Sequence, residues 1–355
     1  TRCLSDWSSD VCSSDLVNWS RTDLIDESQE VVEHQTKNQK EKIAHSSGVS
    51  IDEFNEGRVK VTKVLVDKNG EEQIGKKEGK YITLSVPTLT VDDNNGFEQL
   101  EKAFTKYLDD IHKDIKLTKD SKVLVIGLGN KTITPDAVGP FAIDAMQNEQ
   151  SENPSDHFIM YAPGVTGQTG FETSDFILAL TEKIKPSLVL VIDALATRGS
   201  SRLCKTIQIT NTGIHPGSGV GNQRTEVSKE VMGVPVTAIG VPTVVDATVI
   251  IADAIDSVFR SIAAKIEERG KPSGKLSVTS WTPESNDRVD LNLIKPIFGE
   301  WSTWSTNDRL QLFEEAFASH PERLIVTPKE VDVWITKYSI LISKCLFNWM
   351  EHKIK

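Results

Sequence analysis

The side chains best placed to do chemistry are two aspartates, each set just after an apolar run of strand length. Residues 124–130 read Leu-Val-Ile-Gly-Leu-Gly-Asn, and Asp136 follows in Thr-Pro-Asp-Ala-Val-Gly-Pro. Residues 188–192 read Leu-Val-Leu-Val-Ile and end directly in Asp193. Wholly apolar runs read as strands buried on both faces. In open α/β sheets the reactive crevice lies at the carboxyl ends of such strands. Two carboxylates delivered there can share a proton, or hold a metal and polarise a water. Both are hydrolytic chemistries. The plainer reading is that each aspartate caps the helix after it. His215 follows another expected strand on the same side and is a third candidate, although a His in a glycine loop is more often structural. Ser218 beside it could pair with it as nucleophile and base, for which the spacing alone argues little.

Glycine is dense between the expected strands, at 164–170 and 215–222. Such loops let a backbone approach a ligand closely. Nucleotide motifs do not fit: after Gly127 and Gly129, Thr132 stands where a dinucleotide fingerprint has its third glycine. A G-x-S-x-G nucleophile elbow is absent as well.

The elements that must position these residues alternate as in an α/β core. Strands are expected at 122–127, 157–161, 188–192, 206–209 and 235–241, and helices at 136–146, 172–184 and 244–268. Upstream, 59–66 reads as a half-exposed strand, Asn69-Gly70 as a hairpin turn, 80–86 as the return strand and 97–115 as a helix. The polar stretch 28–57 reads as a surface helix or an arm. Downstream, 272–304 is irregular, and 308–317 and 329–352 are helices, the second with Pro328 at its first position. Trp301 and Trp304 add two rings to an otherwise aromatic-poor chain. They read as packing under the last helix, with a substrate or subunit contact as the alternative.

Residues 1–16 resemble the translation of a sequencing adapter and are set aside as a scar. That leaves Cys204 and Cys345, too few and too far apart for a disulfide framework or a zinc motif, which suits a reducing cytoplasm. The net charge of −11 disfavours direct nucleic-acid binding. The most apolar stretch, 231–252, is interrupted by Pro, Gly and Asp, so no membrane span is expected. The length suits one large domain or two smaller ones.

Taken together, these segments resemble the germination protease family of spore-forming bacteria, endopeptidases that degrade small acid-soluble spore proteins. The matching pieces are Arg21-Thr22-Asp23-Leu24, 75–81, 127–140, 162–164, 172–175, 192–196, 212–222, 240–246 and 326–332. The resemblance implies a single α/β domain at 24–355, with a central mostly parallel or mixed sheet flanked by helices. It also implies kinship with the hydrogenase-maturation proteases, which share the Gly-x-Gly-Asn strand end seen here at Gly127–Asn130. On this resemblance Asp136 and Asp193 are the catalytic carboxylates, one ionised to activate a water and one protonated to donate. Gly129, Asn130, Gly164, Gly217 and Gly219 are candidates for binding substrate or the oxyanion. No cofactor is expected. In the hydrogenase-maturation relatives the corresponding positions bind metal, so a divalent metal on Asp136, Asp193 and His215 is the alternative.

The resemblance further implies a zymogen that trims itself between Asp23 and Leu24, with 17–23 as the remnant of a propeptide. It implies small acid-soluble spore proteins as substrate, a homotetramer, a location in the spore core, and neither nucleic acid nor membrane as partner. A different class of reading is a non-catalytic module that binds spore proteins. Retention of both aspartates argues against it.

Overall fold

The computed structural model describes residues 48–152, 156–165, 172–215, 226–267, 289–317 and 324–354. The adapter-like segment, the 17–23 remnant, the Asp23–Leu24 trimming site, Gly217, Ser218 and Gly219 lie outside them. In chain order the first half forms β1 (Val49–Glu56), β2 (Val59–Val66), α1 (Lys68–Ile74), β3 (Gly79–Ser85), α2 (Asn94–Ile111), β4 (Val123–Gly127), α3 (Val138–Glu152), β5 (Phe158–Tyr161) and α4 (Thr173–Ile184). The second half forms β6 (Leu188–Thr197), β7 (Thr206–Thr210), α5 (Lys229–Met232), β8 (Val236–Asp246), α6 (Ala247–Glu267), α7 (Lys295–Phe298), α8 (Thr306–Phe317), β9 (Ile325–Val326) and α9 (Val331–Ile354).

The strands make one mixed sheet in the order β1-β2-β3-β7-β8-β6-β4-β5, with β9 beside β8. The arm from β1 through β8 pairs antiparallel, whereas β6, β4 and β5 are parallel. The "mixed" arm of the sequence expectation is therefore the correct one. Parallel strands are wholly buried where helices cover both faces, and every residue of β4 is buried.

The chain divides into two compact units: residues up to Ala196 with Cys204–Thr243 and Pro328–Lys355, and Thr197–Leu203 with Val244–Thr327. In the first, α2, α3 and α9 cover one face of the sheet, packing on Val123, Val125, Leu188, Leu190 and Ile192. On the other face, Ile177 of α4 and Met232 of α5 meet Leu124, Ile126, Val189 and Val191. Tyr338 of α9 ties in by donating its hydroxyl to the Cys204 carbonyl at 2.9 Å. His112, at the end of α2, is fully buried, bonded to the Leu108 carbonyl and the Thr237 hydroxyl. Burial pushes its pKa down to about 4.

In the second unit α6 and α8 pack together, and Arg309 is buried between Asp256 (3.0 Å) and the Trp304 carbonyl (2.8 Å). Trp301 packs edge-on against Phe259 of α6 at 4.9 Å, not under the last helix, while Trp304 is exposed.

Two further expectations are corrected. Asn69-Gly70 does not turn a hairpin. Asp67 accepts both of their N–H groups and starts α1, so a side-chain cap takes the backbone that a turn would have used. Part of the polar stretch 28–57 is β1, which pairs along its whole length with β2 across a turn at Gly57 (φ +60°). Only its first residues alternate toward a buried side; Asp52 to Asn55 are exposed on both faces of the strand. The described helices include none long and apolar enough to cross a membrane. Cys204 and Cys345 are free and buried.

Candidate active site

The loop that carries Asp136 is built from its own backbone. The β4–β6 ladder ends at Gly127 opposite Ile192, and Leu128 N–H still reaches the Ile192 carbonyl at 2.8 Å. Gly129 then turns with φ +112°, a conformation side chains rarely adopt. A Cβ there would lie 1.9 Å from the Asp136 carbonyl oxygen. Asn130 closes an Asx turn, its Oδ1 accepting from the Thr132 N–H at 3.0 Å and hydroxyl at 2.7 Å. A short 3-10 turn, Thr134–Asp136, with Pro135 in its first positions, delivers the carboxylate. Gly129→Ala is expected to destabilise the protein by about 1–3 kcal/mol through strain and overpacking. The check is a lower urea midpoint with an unchanged m-value.

Asp136 is half-buried, and its Oδ2 accepts the Asn130 N–H at 2.7 Å. That bond lies within its own loop, so this carboxylate oxygen acts there and not as a cap on α3. It also commits the Asn130 N–H, one of the expected oxyanion donors, to the aspartate. Burial raises the Asp136 pKa, and the Asn130 bond partly offsets it.

Asp193 does not follow a strand; it lies within one. β6 continues to Thr197, so no helix begins at Asp193 and the capping reading fails for it. Its Oδ1 accepts the Ala194 N–H at 2.9 Å, and it is 7% exposed. Burial first, and the neighbouring Asp136 charge second, push its pKa up to about 8. The structure thus brings the two carboxyls into one electrostatic site at the end of β4. There the chain reverses its progress across the sheet: β4 leads to α3 on one face and β5 to α4 on the other. Crevices form at such reversals.

His215 is exposed, with Nε2 3.3 Å from the Glu226 carboxylate, which also pairs with Lys77. Among the described residues no three His, Cys, Asp or Glu side chains converge as metal ligands. Asp136, Asp193 and His215 are therefore not brought together as one set. Gly164 adopts φ +73° just beyond β5. Glu226 was not legible beforehand: no spacing rule links it to His215, and only the bridge between Ile214 and Val227 places it there.

The family model for germination protease matches residues 25–355. The germination protease of Halalkalibacterium halodurans is 38% identical over 342 residues, covering 92% of each chain. Those of Bacillus cereus and Bacillus anthracis strains are 37% identical over 356 residues, covering 96% of each. Among solved structures, a [NiFe] hydrogenase maturation protease HycI from Thermococcus kodakarensis covers 39% of this chain and 80% of its own, at 19% identity and a TM-score of 0.27. The length and identity of the sequence matches are decisive: this chain belongs to the germination protease family, and is a peptidase with a role in spore germination.

Proposed function

We propose that this peptidase is an endopeptidase that begins the degradation of small acid-soluble spore proteins, with Asp136 and Asp193 as its catalytic dyad. The observation that carries the dyad is the split environment of the two carboxyls: Asp193 is buried, with its pKa pushed up to about 8, whereas Asp136 is only half-buried. In this reading Asp193, the more deeply buried, holds the proton, and Asp136 is its ionised partner. Asp136 takes a proton from a water that attacks the scissile carbonyl. Asp193 donates to the carbonyl oxygen or the departing nitrogen. Unlike environments are what let one carboxyl serve as acid and the other as base.

Family membership supports the rest of the reading: a zymogen trimmed between Asp23 and Leu24, a homotetramer, and action in the spore core. Substrates that are flexible when free could enter the crevice as extended segments without an unfolding cost. Catalytic zinc sites use three protein ligands, and among the described residues no such set converges.

The test is an intact-mass time course of the purified protein with a small acid-soluble spore protein, with chelator and with added divalent metal in parallel. Cuts after acidic residues that are indifferent to chelator are expected. Cutting that stops with chelator and returns with one metal would move the reading to a metal-dependent maturation-type protease. Substrate left intact in every arm would favour a non-catalytic binding module.

A further inference from the structure

Resting on that proposed activity, we infer that the stacked rings of Tyr161 and Phe176 form a substrate subsite. They would receive a large apolar side chain of an extended peptide, three to four residues from the bond that is cut.

Tyr161 is the last residue of β5, and Phe176 lies in the first turn of α4. Their ring centroids are 5.1 Å apart at an interplanar angle of 25°. Both are exposed, at 38% and 37%. Of the four exposed aromatic rings among the described residues, Phe54, Tyr161, Phe176 and Trp304, only these two touch one another. Two rings held together at the surface offer a flat apolar shelf that is already ordered. Aromatic anchors of this kind contribute heavily to recognition because little entropy is lost when they are used.

The register of the sheet places this shelf beside the aspartates. Alternate residues of a strand face alternate sides. Leu124 and Ile126 of β4 and Val189 and Val191 of β6 share one face with Ile177 of α4, and Ile159 of β5 packs there too. Asp193, two residues beyond Val191, and Tyr161, two beyond Ile159, project from that same face. Tyr161 pairs with Ile126, and Gly127 with Ile192. Asp193 therefore stands two residues further along the parallel strands and two strands across. With strands about 4.8 Å apart and a rise of about 3.3 Å per residue, the separation is about 12 Å. An extended peptide covers about 3.3–3.6 Å per residue, which sets the distance from cut bond to shelf. β5 is also the terminal strand of the sheet, so no neighbouring strand of this sheet lies beyond it.

The probe is a peptide copying residues 17–30 of this chain, which contains the Asp23-Leu24 pair. In one series a single Leu is walked through the third to fifth positions on either side of that bond; in the other, Ala occupies the same positions. Cleavage is followed with the unsubstituted protein and with its Tyr161→Ala, Phe176→Ala and Tyr161→Phe variants. Binding is followed separately by fluorescence anisotropy in an Asp193→Asn background. With the unsubstituted protein, Leu at one position is expected to lower KM about tenfold relative to Ala, with little change in kcat. That preference should vanish in both Ala variants and persist in Tyr161→Phe. The same loss should appear as weaker binding in the Asp193→Asn background. A Leu preference that survives both Ala variants, or that never appears at any position, overturns the subsite. If the unsubstituted protein cuts nothing, the protease reading fails, while the binding series still decides the subsite.

Discussion

Replacing Asp193 by Asn is expected to lower kcat/KM for peptide hydrolysis by about 10²–10⁴-fold, and replacing Asp136 by Asn to do the same. The side chains keep their size and some hydrogen bonding but can no longer give or take the proton. The reasons differ between the two. Asn at 193 still offers N–H groups to a carbonyl oxygen but cannot release a proton to a leaving nitrogen. Asn at 136 can accept the Asn130 N–H but cannot deprotonate water. On the proposed mechanism the carboxyls act as a unit, so the double variant is expected to be little worse than either single one. Single-turnover cleavage followed by intact mass measures all three. Either single variant keeping a tenth of the parent rate would remove that aspartate from the chemistry, and effects that multiply in the double variant would show two independent roles. The proposed self-trimming between Asp23 and Leu24 should be lost at every pH in Asp193→Asn.

The second large effect is on stability and depends on pH. An unfolded chain releases the Asp193 proton near its ordinary value of about 3.9, while the folded protein holds it up to about 8. Between those values the native state carries one more proton than the unfolded state. Stability from this group is therefore greatest at low pH, falls as pH rises, and is lowest above about 8. His112 works the other way. Its folded pKa of about 4 lies below the ordinary His value of about 6.5, so it favours folding as pH rises through that range. The two slopes oppose one another below about 6.5, and above it Asp193 acts without that offset. One proton corresponds to about 1.4 kcal/mol per pH unit, so the parent should lose about 2 kcal/mol between pH 6.5 and 8 from this source. Asp193→Asn should not, and should be the more stable protein at pH 8. Urea midpoints of parent and variant at half-unit intervals give the difference curve. A flat difference would show that Asp193 ionises near its ordinary value and could not serve as the acid at neutral pH.

Much of the parallel core was legible beforehand because its strands are unbroken apolar runs and its helices keep a clear period. The runs at 124–127 and 188–192 could be little else than strands buried on both faces. What was missed has local causes. β6 and β8 run on past their apolar cores through Asp193 and Asp246, since polar residues can end a hydrophobic run without ending a ladder. Asn69-Gly70 carried a turn signal that Asp67 overrode. β1 looked like a tail because five of its eight residues are polar, and only its partner strand shows it to be structured. At the site, sequence placed both aspartates at the carboxyl ends of separate strands; that β4 and β6 are neighbours is seen only in the sheet. Sequence carried no sign that the Asn130 N–H is committed to Asp136, or that His215 belongs with Glu226. Those depend on loop closure and long-range pairing, which residue types alone do not encode.

Asp193 sits on β6 rather than on a loop, one residue past the last pair with β4, and that makes the register of the β4–β6 pairing a form of error checking. If β6 slid by one residue against β4, most of the backbone hydrogen bonds could re-form, but every side chain would turn to the opposite face. Asp193 would then point into the packing of α3 and α9, where a carboxyl has no place. The misaligned sheet would be penalised by the same group that the proposed mechanism uses as its acid. On the proposed mechanism, a molecule folded out of register could not be a weakly active protease, because it would lack the dyad altogether.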